Sequence, residues 1–94
     1  FYFIEAMQQA AIELGFSRQD ARLLVLDTFM GASKLVDAGN EEVNELRARV
    51  TSKNGTTERA ILSMEADQVK QHIIRAVNAA ATRSAEMGAE LGAR

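Results

Sequence analysis

Ninety-four residues, 47 % of them apolar and only 5 % aromatic, supply one modest domain with enough hydrophobic material for a core. The net charge of −2 and a pI near 5.4 give no electrostatic footprint for nucleic acid. With no cysteine, neither a disulfide nor a thiolate metal site can form. No apolar run approaches the roughly 20 residues that span a bilayer, and the N-terminus lacks the basic start and cleavage site of a signal peptide. We therefore expect a cytoplasmic chain with neither nucleic acid nor membrane as a partner. The absence of proline and the abundance of alanine favour helices packed closely through small side chains.

Five helical segments are predicted. The first runs from the start to about Leu14, with Ile4, Met7, Ala11 and Leu14 on one face, and Gly15 ends it. Because Phe1-Tyr2-Phe3-Ile4 opens inside this pattern without a methionine, we expect a piece of a longer protein. Ser17 is placed to cap the second segment, with Asp20 three residues on in the manner of a capping box. That helix runs to about Ala38. Its stretch Leu23-Leu24-Val25-Leu26, then Phe29 and Met30, is apolar on nearly every side and predicts burial from several directions. Gly31, Ala32 and Ser33 offer a thin strip for close approach of another backbone. A chain this short has few helices with which to surround such a segment, so we expect a subunit interface in preference to the centre of a monomeric bundle.

Gly39-Asn40 makes the next break, with Asn40 as the expected cap and Glu41 and Glu42 suited to the helix dipole. A short helix then carries Val43, Leu46 and Val50 inward. After the segment Thr51 to Thr57, a fourth helix presents Ala60, Ile61 and Met64. Asp67 is the expected cap of the last helix, which runs to about Leu91 with Val69, Ile73, Ala76, Val77, Ala80 and Met87 as its stripe; Ala79-Ala80-Ala81 again permits close packing.

The segment between the third and fourth helices, Thr51-Ser52-Lys53-Asn54-Gly55-Thr56-Thr57, is the one with chemistry in it. As a plain connection it has good turn residues: Asn54-Gly55 supports positive φ, and Thr56 or Thr57 can cap the next helix. As a site, the helix start exposes backbone N–H groups toward an anion, Ser52, Thr56 and Thr57 add hydroxyls, and Gly55 lets a ligand approach the backbone. Composition alone does not choose between these two readings.

Val50 to Thr57, followed by Ala60-Ile61 and Met64-Glu65, resembles the signature of pyrroline-5-carboxylate reductases, in which V-T-S-P-G-G-T-T commonly precedes a helix. The likeness extends to Phe16-Ser17-Arg18, to Thr28 through Ala32, and to Ala79 through Gly88, and so covers essentially the whole chain. It departs at Lys53 and Asn54, where the family more often has proline and glycine. Asparagine is the next best residue for positive φ, so the turn is expected to survive. Lys53 is expected to be a solvated lysine.

The resemblance implies an all-α fold, a bundle of about five helices interleaved with a partner chain as in the 6-phosphogluconate dehydrogenase C-terminal-like domains. It makes residues 1–94 one C-terminal dimerisation and substrate-binding domain, preceded in the full-length protein by a dinucleotide-binding Rossmann domain. The implied activity is reduction of 1-pyrroline-5-carboxylate to L-proline with NADPH or NADH. The backbone from Asn54 through Gly55 and Thr56 to Thr57, with Ser52, then holds the substrate carboxylate, and the Thr57 hydroxyl meets the ring nitrogen as the catalytic contact. The implied assembly is a homodimer, or a decamer of five dimers. No G-x-G-x-x-G occurs in these 94 residues, so this polypeptide alone is expected neither to bind the cofactor nor to turn over.

Other residues carry less. His72, the only histidine, has no orienting carboxylate evident and is expected at the surface. Met7, Met30, Met64 and Met87 read as fillers of apolar gaps, and Glu41, Glu42 and Glu45 as a solvated helix face without metal-site convergence. A purely structural helical dimerisation module, such as the effector domain of a transcriptional regulator, also explains the apolar helix but leaves the threonine-rich segment unused.

Overall fold

The computed structural model describes residues 1–92, which form five α-helices and, among the described residues, no strand. They are α1 (Tyr2–Glu13), α2 (Arg18–Ala38), α3 (Val43–Arg49), α4 (Thr56–Ala66) and α5 (Val69–Gly92). Two compact units make up the chain, one from Phe1 to Arg47 and one from Ala48 onward. No helix is long and apolar enough to cross a membrane among the described residues.

The first unit is built on the hairpin of α1 and α2. Gly15 adopts φ +107°, a conformation that side-chain-bearing residues rarely take, and this reverses the chain. The Phe16 N–H, reaching back to the Ala11 carbonyl at 3.1 Å, closes the end of α1. At the next residue the Ser17 hydroxyl accepts the Asp20 N–H at 3.1 Å, satisfying one of the donors that every helix start leaves open.

Packing between the pair follows from spacing. On α2, Ala21 and Val25 are buried and Phe29 half-buried at intervals of four, with half-buried Leu26 beside them on the same stripe. Ala21, fully covered, is small enough to let the two backbones approach. On α1 the inward residues are Ile4, Gln8, Ala11 and Ile12. This corrects the expected face at two places: Met7 is 42 % exposed and Leu14 81 %. Gln8 and Ile12 take the places expected of those two residues, and Leu14 lies past the last helical residue as the C-cap of α1.

The expected all-round burial of α2 is not met within the chain, and helix length explains why. At about 1.5 Å per residue, the 12 residues of α1 reach about 18 Å, against about 32 Å for the 21 of α2. The C-terminal half of α2 therefore extends past its partner, leaving Met30, Leu35 and Val36 exposed, while Leu23 and Leu24 face away from α1. At Gly31 an added methyl would meet open space. The strip of small residues is thus an outer surface of this unit.

Asn40 is not the cap of α3. Gly39 is extended, and the first helical bonds, from the Glu45 and Leu46 N–H groups, both end on the Glu42 carbonyl. Glu42 is thus the residue at the helix entrance. Leu46 is half-buried, whereas Val43 and Val50, expected inward, are both 62 % exposed, since seven residues make too short a helix to cover both ends.

The second unit repeats the unequal pairing. The 11-residue α4 packs against the 24-residue α5 across a tight turn. Asp67, expected to open α5, instead ends α4: its N–H is spent on the Ser63 carbonyl at 3.2 Å. Gln68 takes φ 55° to turn the chain, and its carbonyl accepts the first bond of α5, from the His72 N–H. Ile61 and Val69 are half-buried, while Ile73, Ile74, Val77, Met87 and Leu91 line α5 uncovered. Arg83 bridges Glu86 and Glu90 at 3.1 and 3.2 Å on the same helix, an exposed contact of little energetic weight.

Ser17→Ala removes the one side-chain cap of α2 without touching the apolar stripe. It should lower unfolding free energy by about 1 kcal/mol, read as a reduced denaturant midpoint with an unchanged slope.

Candidate functional site

The segment 50–57 lies in the second unit and ends on the first turn of α4. Its shape comes from short-range bonds. The Thr51 N–H meets the Ala48 carbonyl at 3.2 Å as α3 ends, and the Gly55 N–H meets the Ser52 carbonyl at 3.1 Å, closing a turn over residues 52–55.

At the end of that turn Asn54 and Gly55 divide the work differently from the simplest reading of Asn-Gly. Asn54 carries the positive φ, 62°, whereas Gly55 is extended with φ −86°. Glycine is required at position 55 for space. A Cβ there would fall 2.5 Å from the Ser52 hydroxyl oxygen and 3.2 Å from the Ser52 carbonyl oxygen. The hydroxyl can rotate away; the carbonyl, part of the turn, can only give with the backbone.

Gly55 is also the N-cap of α4, and it has no side chain with which to cap. The expected caps, Thr56 and Thr57, are instead the first two helical residues. The first intrahelical bond runs from the Arg59 N–H to the Gly55 carbonyl at 3.2 Å, so helix geometry leaves the N–H groups of Thr56, Thr57 and Glu58 without an intrahelical acceptor. By contrast, the N–H groups of Asn54 and Gly55 are committed within the loop, to the Glu58 carboxylate at 3.2 Å and to Ser52. Ser52, Asn54, Thr56 and Thr57 are exposed and Gly55 half-buried, all in one short stretch at the positive end of a helix dipole.

Glu58 is the participant that sequence reasoning overlooked. The available signal was an acidic residue at the third helical position, where capping-box glutamates sit. It was masked because the residue three places earlier is a glycine rather than a serine or threonine.

His72 lies exposed on the first turn of α5. Among the described residues, no three His, Cys, Asp or Glu side chains converge as metal ligands do.

A family model described as pyrroline-5-carboxylate reductase dimerisation matches residues 1–87. The chain belongs to this family. Among pyrroline-5-carboxylate reductases, that of Pseudomonas aeruginosa is 45 % identical over 92 residues, covering 98 % of this chain and 34 % of the relative. That of Vibrio alginolyticus is 42 % identical over 88 residues, covering 93 % and 32 % respectively. A solved pyrroline-5-carboxylate reductase from Coxiella burnetii matches with a TM-score of 0.86 and 38 % identity, covering 92 % of this chain and 32 % of that one. The Plasmodium falciparum pyrroline carboxylate reductase, solved with NADP bound, matches with a TM-score of 0.81 and 31 % identity over 83 % of this chain and 30 % of its own. The chain thus spans about a third of the length of the reductases it matches.

Gly55→Ala should destabilise the reductase-family domain by about 1 kcal/mol or more through the Ser52 contacts. Adding Ser52→Ala should recover only part of that loss, since the carbonyl contact persists. A double-mutant cycle in chemical denaturation reads this as a coupling of about 0.5 kcal/mol or more.

Proposed function

We propose that this chain is the substrate-binding and dimerisation domain of a cytoplasmic reductase that converts 1-pyrroline-5-carboxylate to L-proline with NAD(P)H. The observation that carries the reading is the start of α4, where the uncommitted N–H groups of Thr56 and Thr57 stand beside two threonine hydroxyls. Family membership supplies the chemistry to which such a cluster is suited.

The substrate is a cyclic imine whose carboxylate and ring nitrogen share one carbon. Donors that recognise both groups must therefore lie side by side, as the backbone and hydroxyl of one residue do. On this reading the carboxylate accepts from the Thr56 and Thr57 N–H groups, favoured by the helix dipole, with the Ser52 hydroxyl beside it. The turn at Asn54 and Gly55 sets the backbone that holds them. The Thr57 hydroxyl donates to the ring nitrogen, orients the imine and holds a proton where the reduced product needs one. Positioning of this kind is the main contribution that the domain makes to a hydride transfer.

The dinucleotide supplies the hydride. The described residues do not fit it: they contain no strand, and the sequence has no G-x-G-x-x-G loop to cradle a pyrophosphate. We assign its binding to a Rossmann domain preceding this one in the full-length protein.

Homodimerisation is supported by the apolar flanks of α2 and α5, which the short helix paired with each leaves uncovered. A ring of five such dimers is the larger assembly proposed. Thr57 is exposed, so Thr57→Ala should leave folding intact while lowering kcat/KM of the full-length protein about threefold to tenfold, the worth of one hydrogen bond to a neutral nitrogen. Unchanged kinetics would reject the assigned role. In sedimentation at micromolar concentration the 94-residue chain should run as a dimer or larger, and a stable monomer would count against the interface.

A further inference from the structure

We propose that Glu58 is a positioning residue of the substrate loop: its side-chain oxygen holds the Asn54 N–H and so keeps the loop in the turn that leaves Thr56 and Thr57 open to a ligand. The inference rests on the reading of residues 50–57 as the substrate-binding segment.

Three observations meet at this residue. Asn54 takes φ 62°, a conformation that costs any side-chain-bearing residue some free energy and persists only where neighbours hold it. The bond that holds it comes from Glu58, whose Oε1 accepts the Asn54 N–H at 3.2 Å. Glu58 is also half-buried, while Ser52, Asn54, Thr56, Thr57 and Arg59 around it are exposed.

The pattern is a displaced capping box. A glutamate at the third helical position ordinarily returns to the N–H of the N-cap residue. Here the Gly55 N–H is already spent on the Ser52 carbonyl, so Glu58 reaches one residue further, to the residue with positive φ. Two hydrogen bonds thus lock adjacent N–H groups, and the donors left over are those of the first helical residues, Thr56 and Thr57 among them.

The chemistry separates the useful part of the side chain from the rest. Loop geometry needs an acceptor oxygen, which glutamine also offers. A negative charge at this place gives nothing to the binding of an anionic substrate; like charges disfavour each other. The acceptor, not the charge, is therefore the feature that positions the loop.

The test uses the full-length protein, amide hydrogen exchange at Asn54 and steady-state kinetics with 1-pyrroline-5-carboxylate. Glu58→Ala should speed Asn54 exchange and raise KM, each about fivefold, with kcat little changed, as loss of one exposed hydrogen bond predicts. Glu58→Gln should keep both within about twofold of the unmodified protein. Asn54 exchange that stays the same in Glu58→Ala overturns the proposal, as does a Gln variant as impaired as the Ala variant. If Glu58→Ala speeds exchange but KM stays fixed while Thr57→Ala still impairs turnover, positioning by Glu58 fails and the site reading stands. If neither substitution affects kinetics, the site reading itself falls.

Discussion

Each unit of this chain pairs a long helix with a short one, and most of its structural character follows from that inequality. The 21-residue α2 has a 12-residue partner and the 24-residue α5 an 11-residue partner. A short helix can shield only one face along part of a long one, so Ala21 and Val25 are the buried apolar residues among those described. Apolar side chains that their own helix partner leaves uncovered, such as Leu35 on α2 and Val77 on α5, then favour burial against another surface. The proposed homodimer is the assembly that a family of dimerisation domains makes available for it.

The threonine loop shows a different economy, in which local geometry is completed by few atoms. Gly55 has no side chain to cap α4, which leaves the first helical N–H groups open; the same missing side chain makes room for Ser52. A serine or threonine at position 55 would satisfy one of those N–H groups itself and would also collide with Ser52. Exposed donors and a closely folded turn are thus two results of one residue type. Asn54 completes the turn with φ 62°, and the hydrogen bond from its N–H to Glu58 offsets part of the cost of its conformation.

Much of this was legible in the order of residues because it depends on neighbours along the chain. Gly15 stops α1 and Ser17 starts α2 through contacts within a few residues, and the structure has both. The cluster from Ser52 to Thr57 was visible as a concentration of hydroxyls and turn formers between two apolar patterns. Ambiguity arose where several polar residues could serve the same local purpose. Asn40 and Asp67 are good caps by type, yet Glu42 and Gln68 stand at the helix entrances, because the preceding backbone had first to finish its own turn.

The sequence by itself determined the five helices, their order and the place of the threonine-rich loop between two of them, since periodicity and capping act within one or two turns of chain. The tertiary structure decided which faces turn inward: Gln8 and Ile12 rather than Met7 and Leu14 on α1, and a stripe on α2 only as long as α1 can cover. It also decided that Asn54, not Gly55, bears the positive φ, and that Glu58 reaches back to hold it. These outcomes depend on rotation, helix length and steric fit, which are set when atoms meet in space.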